Sequence, residues 1–168
     1  MILSKEEIRE LIEKEKLIKN FIDLEKQLTP NGFDLTVKKI FGFEGRGKLD
    51  FSNKERELSE LKEIEPKKEG DKYGWWVLEK GCYLIETNEI IKLPLNLIGF
   101  VKPRSSLLRM GATVSTGFWD SGFHGKSQFL LIVLNPKGVK IKQNARICQI
   151  VFAKTKGTIH GYNGIYKN

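Results

Sequence analysis

The sequence has few of the residues that build metal centres and disulfide frameworks. Its 168 residues include only two cysteines, Cys82 and Cys148, and two histidines, His124 and His160. Neither a Cys-x-x-Cys pair nor a His-x-Glu pattern occurs, which excludes a zinc-dependent deaminase. Two cysteines cannot make a disulfide framework. A single bridge between them stays open, but we expect two buried free thiols, as is usual in a reducing compartment.

Long hydrophobic runs are also missing. No apolar stretch approaches the roughly 20 residues that a membrane-spanning helix needs. The opening residues 1–7 are too polar and too acidic for a signal peptide. We therefore expect a cytoplasmic protein with no membrane partner. A hydrophobic content of 40% over 168 residues is enough for one substantial core, so we interpret residues 1–168 as a single domain.

The net charge of +8 is not concentrated in any block of like charges. Residues 44–74 carry eight basic and nine acidic side chains, which leaves about +9 spread over the rest of the chain. A basic surface that attracts a small polyanion explains this balance as well as nucleic-acid binding does, and we expect no nucleic-acid partner. We interpret 44–74 as a solvated insertion without a chemical role, in which Leu58, Leu61 and Ile64 predict a short helix over 55–65.

Turn residues divide most of the chain into short β-prone segments. A capping box, Ser4 to Glu7, precedes Ile8, Leu11 and Ile12 and predicts a helix that ends near residue 16. The continuous apolar run 129–134 predicts a strand that is buried on both faces. Such a pattern favours a β-barrel or sandwich over alternating β-α units. The predicted strands are 33–43, 75–78, 82–93, 97–102, 112–116, 127–134, 139–141 and 146–154.

Two segments carry candidate chemistry. Arg104 stands beside the hydroxyls of Ser105 and Ser106 in a predicted tight turn, where a guanidinium and short donors suit a phosphate chain. Residues 117–125 place a lone carboxylate, Asp120, among glycines and large aromatic residues, as a hairpin over a flat ligand would. Together they suggest an enzyme that holds a phosphorylated small molecule and directs a carboxylate-activated water at it.

Four separated motifs resemble those of the trimeric dUTPases and the related dCTP deaminases, especially the short archaeal dUTPases. In the third motif, Phe123 stands where many dUTPases have Tyr. The resemblance spans nearly the whole chain apart from 44–74. It implies a mainly β, jelly-roll-like barrel with a short N-terminal helix, and a homotrimer with active sites at subunit interfaces. The motifs are residues 30–35, 103–107, 117–125 and 144–150.

By this resemblance the chain hydrolyses dUTP to dUMP and pyrophosphate with Mg²⁺, and Asp120 orients the water that attacks the α-phosphorus. Asp34 would contribute indirectly to the metal environment. Structural alternatives stay open: a salt bridge for Arg104, a turn cap for Asp120 and core packing for Phe123. The implied substrate-binding residues are Arg104, Ser105, Ser106, Arg109, Gly117, Phe123 and Gln149.

The position ten residues after Asp120 separates the two activities of the family. Deaminases and bifunctional relatives carry a Glu there, whereas this chain has Leu130, and the run 127–134 holds no carboxylate. We therefore favour a dUTP diphosphatase over a dCTP deaminase. The Gly-rich tail that closes over the phosphates in dUTPases is short here, with Lys167 as a partial substitute. A non-catalytic nucleotide-binding relative is thus a further alternative.

Overall fold

The structure, a computed structural model, describes residues 1–166 and is built mainly of antiparallel strands. The chain also forms three helices: α1 (Lys5–Glu15), α2 (Leu24–Gln27) and α3 (Ser105–Arg109). The strands are β1 (Ile18–Lys19), β2 (Leu28–Thr29), β3 (Gly32–Glu44), β4 (Glu60–Glu63), β5 (Trp75–Leu78), β6 (Gly81–Lys92), β7 (Leu97–Pro103), β8 (Ala112–Ser115), β9 (His124–Val133), β10 (Val139–Lys142) and β11 (Arg146–Lys154).

One large sheet dominates the fold. Its strand order is β7-β11-β3-β6-β9-β8, and the short strands β1, β2 and β4 attach to β6, β3 and β3 respectively. Strands β5 and β10 form a separate two-stranded ladder. All of these pairs are antiparallel, and the large sheet curls into a near-closed barrel. The predicted mainly β barrel is confirmed.

The N-terminal helix forms for the reason that the sequence indicates. Ser4 Oγ accepts a hydrogen bond from the Glu7 amide at 3.3 Å, and Glu7 Oε2 accepts one from the Ser4 amide at 2.9 Å. This reciprocal capping satisfies donors that the first helical turn leaves without partners. Ile8 and Ile12 then bury the helix against the core. The predicted helix is confirmed, with its last residue at Glu15.

Strand β9 differs from its prediction. It begins at His124, three residues earlier than expected, and its apolar run alternates between two environments. Phe129, Leu131 and Val133 are buried in the core, whereas Leu130 and Ile132 are only half-buried. The expectation of burial on both faces is therefore wrong for the single chain. The reason is the pleat: successive side chains of a strand point to opposite faces, and only one face of β9 meets the core.

The insertion is more ordered than the sequence suggests, and the helix predicted over 55–65 is wrong. Strand β4 occupies part of that range and pairs with the end of β3, from Phe41↔Glu63 to Glu44↔Glu60. The open edge of β3 offers unpaired backbone groups, so extended pairing is available to this segment. Trp76 also donates its indole N–H to the Ile64 carbonyl at 2.6 Å, which fixes the end of the insertion.

The two cysteines occupy different environments. Both are free thiols, but Cys82 is exposed and only Cys148 is buried, so the expectation of two buried thiols is half wrong. Cys82 lies on β6, at a position facing away from the core. Burial raises the pKa of the Cys148 thiol well above its usual value. In residues 1–166, no helix has both the length and the apolar character needed to cross a membrane.

Candidate active site

Three neighbouring strands bring the first group of predicted site residues to one edge of the sheet. Strand β11 lies between β3 and β7, and its Gln149 is registered with Asp34 on one side and Lys102 on the other. Arg104 follows the end of β7 directly and occupies the N-cap position of helix α3. Sheet register, rather than sequence proximity, therefore places Asp34, Arg104 and Gln149 together.

Two guanidinium groups share the Asp34 carboxylate. Asp34 Oδ2 lies 3.2 Å from Arg104 Nε and 3.3 Å from an Arg146 terminal nitrogen. Arg104 also donates a hydrogen bond to the Arg146 carbonyl at 3.2 Å. Only 4% of the Asp34 side chain is exposed, whereas about a third of each arginine side chain is. The cluster of Asp34, Arg104 and Arg146, here the arginine cluster, thus holds two fixed cations at the surface.

The charges in the arginine cluster act on Asp34 in opposite directions. Burial raises the pKa of the Asp34 carboxyl, while the positive charges of Arg104 and Arg146 oppose that rise. Arg146 lies in the fourth motif but was not among the predicted site residues. Its place beside Arg104 depends on the pairing of β11 with both neighbours, which no local pattern reveals.

The surroundings of Arg104 suit anionic ligands. Ser105 and Ser106 open helix α3 and are exposed, so their hydroxyls are accessible to a ligand. Arg109 is exposed at the other end of the helix. Gln149 donates to the Thr29 hydroxyl. A Cβ on Gly32 would lie 2.5 Å from the Ile150 carbonyl oxygen, so this glycine permits the close approach of β11.

A buried carboxylate supports the arginine cluster from inside the barrel. Glu89 has no exposed surface. It accepts hydrogen bonds from the Thr36 amide at 3.0 Å, the Thr36 hydroxyl at 2.6 Å and the Gln27 side-chain amide at 2.7 Å. Gln27 also donates to the Asp34 carbonyl at 2.9 Å. Glu89 therefore holds the strand segment that carries Asp34, a role that sequence reasoning missed.

Glu89 should make the stability of the protein depend on pH. Burial raises the pKa of its carboxyl above the ordinary value of about 4.5, although the donors from Thr36 and Gln27 oppose the rise. The folded chain therefore keeps the proton to higher pH than the unfolded chain does. The contribution of this carboxyl to the free energy of unfolding therefore falls as pH rises from about 4.5 through the raised pKa.

The test compares urea unfolding of the wild type and Glu89→Gln between about pH 4 and pH 8. The variant cannot titrate at this position, so the stability of the wild type relative to the variant should decline with rising pH. Parallel pH profiles for the two proteins would contradict this prediction. Asp34 is unchanged in both proteins, so its own titration does not separate them.

The second group of predicted site residues lies on the loop between β8 and β9. Trp119 in this loop exchanges two backbone hydrogen bonds with Gly99 of β7, at 2.9 and 3.0 Å. Ser121 Oγ donates to the Leu97 carbonyl at 2.9 Å. Gly122 has a φ of +80°, and a Cβ there would lie 2.8 Å from the Gly161 Cα. These constraints hold Asp120 exposed at the tip of the loop.

A cavity of about 790 Å³ opens beside this loop. Gly117, Trp119 and Phe123 are among the residues that line it. The Phe123 ring is mostly buried and meets Tyr162 edge to face, with ring centroids 5.5 Å apart. Residues of the insertion also line this cavity. The insertion, which we expected to be solvated and without a chemical role, therefore contributes to a cavity beside the loop that carries Asp120.

The Asp120 loop and Arg104 are placed toward opposite ends of β7. Gly99, which anchors the Asp120 loop, precedes Arg104 by five residues along an extended strand, about 17 Å at 3.3 Å per residue. Each chain therefore presents two half-sites, one with paired cations and one with a carboxylate beside a cavity. Lys167, expected to substitute in part for the short C-terminal tail, lies outside the described residues.

The side chains of the site supply few ligands for a divalent metal ion. Over the described part of the chain, no three His, Cys, Asp or Glu side chains cluster closely enough to hold a metal ion. Asp34 already contacts two guanidinium groups. Such a site fits Mg²⁺ only where phosphate oxygens and water supply most of the ligands, which is the coordination that Mg²⁺ prefers.

The comparisons identify the class of proteins to which this β-barrel chain belongs. The family model described as dCTP deaminase-like matches residues 2–155, and the chain belongs to this family. The resemblance stated from the motifs is thereby confirmed.

Within the family, the chain is similar to archaeal proteins named for dUTP hydrolysis. It is 42% identical over 166 residues to the probable deoxyuridine 5′-triphosphate nucleotidohydrolase of Archaeoglobus fulgidus, covering 99% of this chain and 95% of that protein. It is also 42% identical over 151 residues to the deoxyuridine 5′-triphosphate nucleotidohydrolase of Methanocaldococcus jannaschii, covering 89% and 94%.

A solved structure supports the fold. The 2′-deoxycytidine 5′-triphosphate deaminase of Agrobacterium tumefaciens matches with a TM-score of 0.66 at 23% identity. The match covers 90% of this chain and 47% of the deaminase chain, so this chain spans about half the length of that protein.

Proposed function

We propose that the chain is a dUTP diphosphatase, which hydrolyses dUTP to dUMP and pyrophosphate. The observation that carries this proposal is the pair of guanidinium groups that Asp34 fixes at the start of α3. The exposed hydroxyls of Ser105 and Ser106 stand beside this pair. The names of the archaeal relatives support dUTP as the substrate.

The arginine cluster binds the triphosphate in this proposal. Arg104 and Arg146 keep donors free after contacting Asp34, because a guanidinium offers five N–H groups. These donors match phosphate oxygens, and the hydroxyls of Ser105 and Ser106 supply further ones. Gln149 lies at the same sheet edge and adds an amide. Arg109, exposed at the end of α3, is a further contact with phosphate or with a neighbouring subunit.

Asp120 positions the attacking water. Its carboxylate accepts a proton as the water oxygen forms a bond to the α-phosphorus. The bond from the α-phosphorus to the bridging oxygen breaks, and pyrophosphate leaves with the electron pair. Phe123 packs against the deoxyribose, and the backbone around Gly117 faces the uracil. A carboxylate in this role typically contributes about 10²–10⁴-fold to the rate.

Mg²⁺ is part of the proposal. The residues fit an ion held mainly by the triphosphate and by water, with Asp34 acting indirectly through the arginines that it fixes. When bound, the ion neutralises charge on the phosphates, as Mg²⁺ does in phosphoryl-transfer sites generally.

We also propose that the chain works as a homotrimer with active sites at subunit interfaces. The separation of Arg104 and Asp120 within one chain supports this arrangement, since a second copy supplies the missing half-site. The half-buried apolar side chains on the outer face of β9, Leu130 and Ile132, offer surface that a neighbouring subunit can cover.

A dCTP deaminase is the main alternative. Leu130, at the position where deaminases of this family carry Glu, is registered with Leu84 of β6 and Ser115 of β8. The carboxylate of Glu86, further along β6, pairs with Lys126 at 3.4 Å. Leu130 itself cannot act as a base, and the Glu86 carboxylate on the neighbouring strand is engaged by Lys126. This arrangement favours the diphosphatase over the deaminase. A non-catalytic relative that binds dUTP is the second alternative.

An assay of the purified protein separates the three functions. The protein is incubated with Mg²⁺ and either dUTP or dCTP, and pyrophosphate and ammonia are measured separately. We expect pyrophosphate from dUTP and no ammonia from dCTP. Ammonia from dCTP would contradict the interpretation of Leu130. Binding of dUTP without release of pyrophosphate would identify a non-catalytic relative.

A further inference from the structure

The tip of the insertion forms a hairpin that is held by hydrogen bonds. Lys48 and Glu57 exchange two backbone hydrogen bonds, at 2.9 and 3.0 Å, and their side chains form an ion pair at 2.9 Å. The Asp50 carboxylate accepts hydrogen bonds from the amides of Ser52 and Glu55 at the turn, at 3.0 and 3.1 Å. Residues 47–58, here the insertion hairpin, are thus held in a defined shape.

The insertion hairpin turns apolar side chains toward the cavity. Leu49 and Leu58, on either side of the Lys48–Glu57 bridge, line the cavity together with Leu61 of β4. Gly117 and Phe118 of the Asp120 loop line the same cavity. The loop that carries the candidate base and an element outside all four motifs therefore share one cavity.

The cations at this cavity are already paired. Lys48 contacts Glu57 at 2.9 Å, and Lys126 contacts Glu86 at 3.4 Å. Within residues 1–166, the walls thus offer mostly apolar surface and no pair of guanidinium groups like the one at Asp34. Such a cavity suits an uncharged, flat and partly apolar group better than a phosphate. Its volume of about 790 Å³ exceeds what a pyrimidine ring alone requires, so the sugar can share it.

We propose that the insertion hairpin is the outer wall of the nucleobase pocket, with Leu58 packing against the pyrimidine ring and its deoxyribose. This inference rests on the proposed function, since the ligand is the base end of the same nucleotide. The insertion is then a determinant of substrate affinity. Its apolar residues contact the nucleobase and the deoxyribose but not the phosphates.

The chain offers a matched pair of variants for the test. Leu58 lines the cavity, whereas Phe51 at the hairpin tip is fully exposed and is not among the lining residues. Leu58→Ser and Phe51→Ser each remove one exposed apolar side chain from the insertion hairpin. Their melting temperatures, compared with that of the wild type, report any general damage to the hairpin.

We expect Leu58→Ser to raise the KM for dUTP by about tenfold, as loss of an apolar contact in a pocket does. Its kcat should stay within about twofold, because the contact is the same in ground and transition states. Inhibition by inorganic tripolyphosphate should be unchanged, since the phosphates bind elsewhere. Phe51→Ser should leave all three quantities unchanged.

Equal effects of the two substitutions on KM, or weakened inhibition by tripolyphosphate in Leu58→Ser, would overturn the inference. Failure of the proposed function is a separate result, namely no hydrolysis of dUTP by the wild type. In that event the variants are compared by calorimetric titration with dUMP. Loss of dUMP affinity in Leu58→Ser alone supports the inference that the insertion hairpin walls the nucleobase pocket. Equal dUMP affinities of the two variants overturn that inference.

Discussion

Replacing Asp120 with Asn is expected to lower kcat for dUTP by about 10²–10⁴-fold, because the amide cannot take a proton from the attacking water. The fold should survive. Asp120 is exposed, and exposed substitutions usually change stability by less than about 0.5 kcal/mol. Release of pyrophosphate under saturating dUTP measures kcat, and thermal unfolding measures stability.

Asp71→Asn serves as the control for this experiment. Asp71 is an exposed aspartate of the insertion that pairs with Lys142, the last residue of β10, and it lies outside all four motifs. It carries the same chemical change but should leave kcat unaltered. Asp120→Asn with normal kcat would remove Asp120 from the mechanism and leave the turn-capping interpretation of this residue.

Co-expression of two inactive variants is expected to restore activity. Arg104→Ala removes a phosphate ligand and Asp120→Asn removes the base, so each homotrimer should be almost inactive. If a site takes Arg104 from one chain and Asp120 from another, mixed trimers contain some intact sites. Random mixing at equal amounts makes about a quarter of the sites intact, because each of the two contributing chains is the right one half of the time.

Different affinity tags on the two variants allow the mixed trimers to be isolated before pyrophosphate release is measured. The control pairs Arg104→Ala with the double variant Arg104→Ala/Asp120→Asn, in which no arrangement can supply Arg104. Mixed trimers with no more activity than this control would show that one chain supplies both residues. They would also show that the 17 Å estimate along β7 misrepresents the working site.

Local sequence signals predicted much of the fold for identifiable reasons. The capping box at Ser4 and Glu7 involves residues three apart, so its hydrogen bonds form within the segment itself. Turn residues likewise ended most strands within one or two positions of their predicted bounds, as at β5 and β11. The helix predicted from Leu58, Leu61 and Ile64 was wrong because a spacing of three residues carries no information about the nearby edge of β3. This segment pairs with that edge as β4.

The residues of the candidate site were likewise only partly predictable from the sequence. The residue types in the four motifs, above all Arg104, Ser105 and Asp120, were enough to indicate the family from the sequence alone. Arg146 and Glu89 escaped notice because their roles depend on partners far away in sequence. Glu89 meets Thr36 across 53 residues and Gln27 across 62, and Arg146 meets Asp34 across 112.

The sequence by itself thus determined the local elements and the chemical groups available for catalysis, since turns, caps and side-chain chemistry arise from short-range interactions. Only the tertiary structure decided which groups meet. Strand register placed Arg104 and Arg146 on one buried carboxylate, kept Asp120 on a separate half-site and set the insertion hairpin against the cavity. Register follows from burial and backbone pairing summed over the whole sheet, which no single segment of the chain contains.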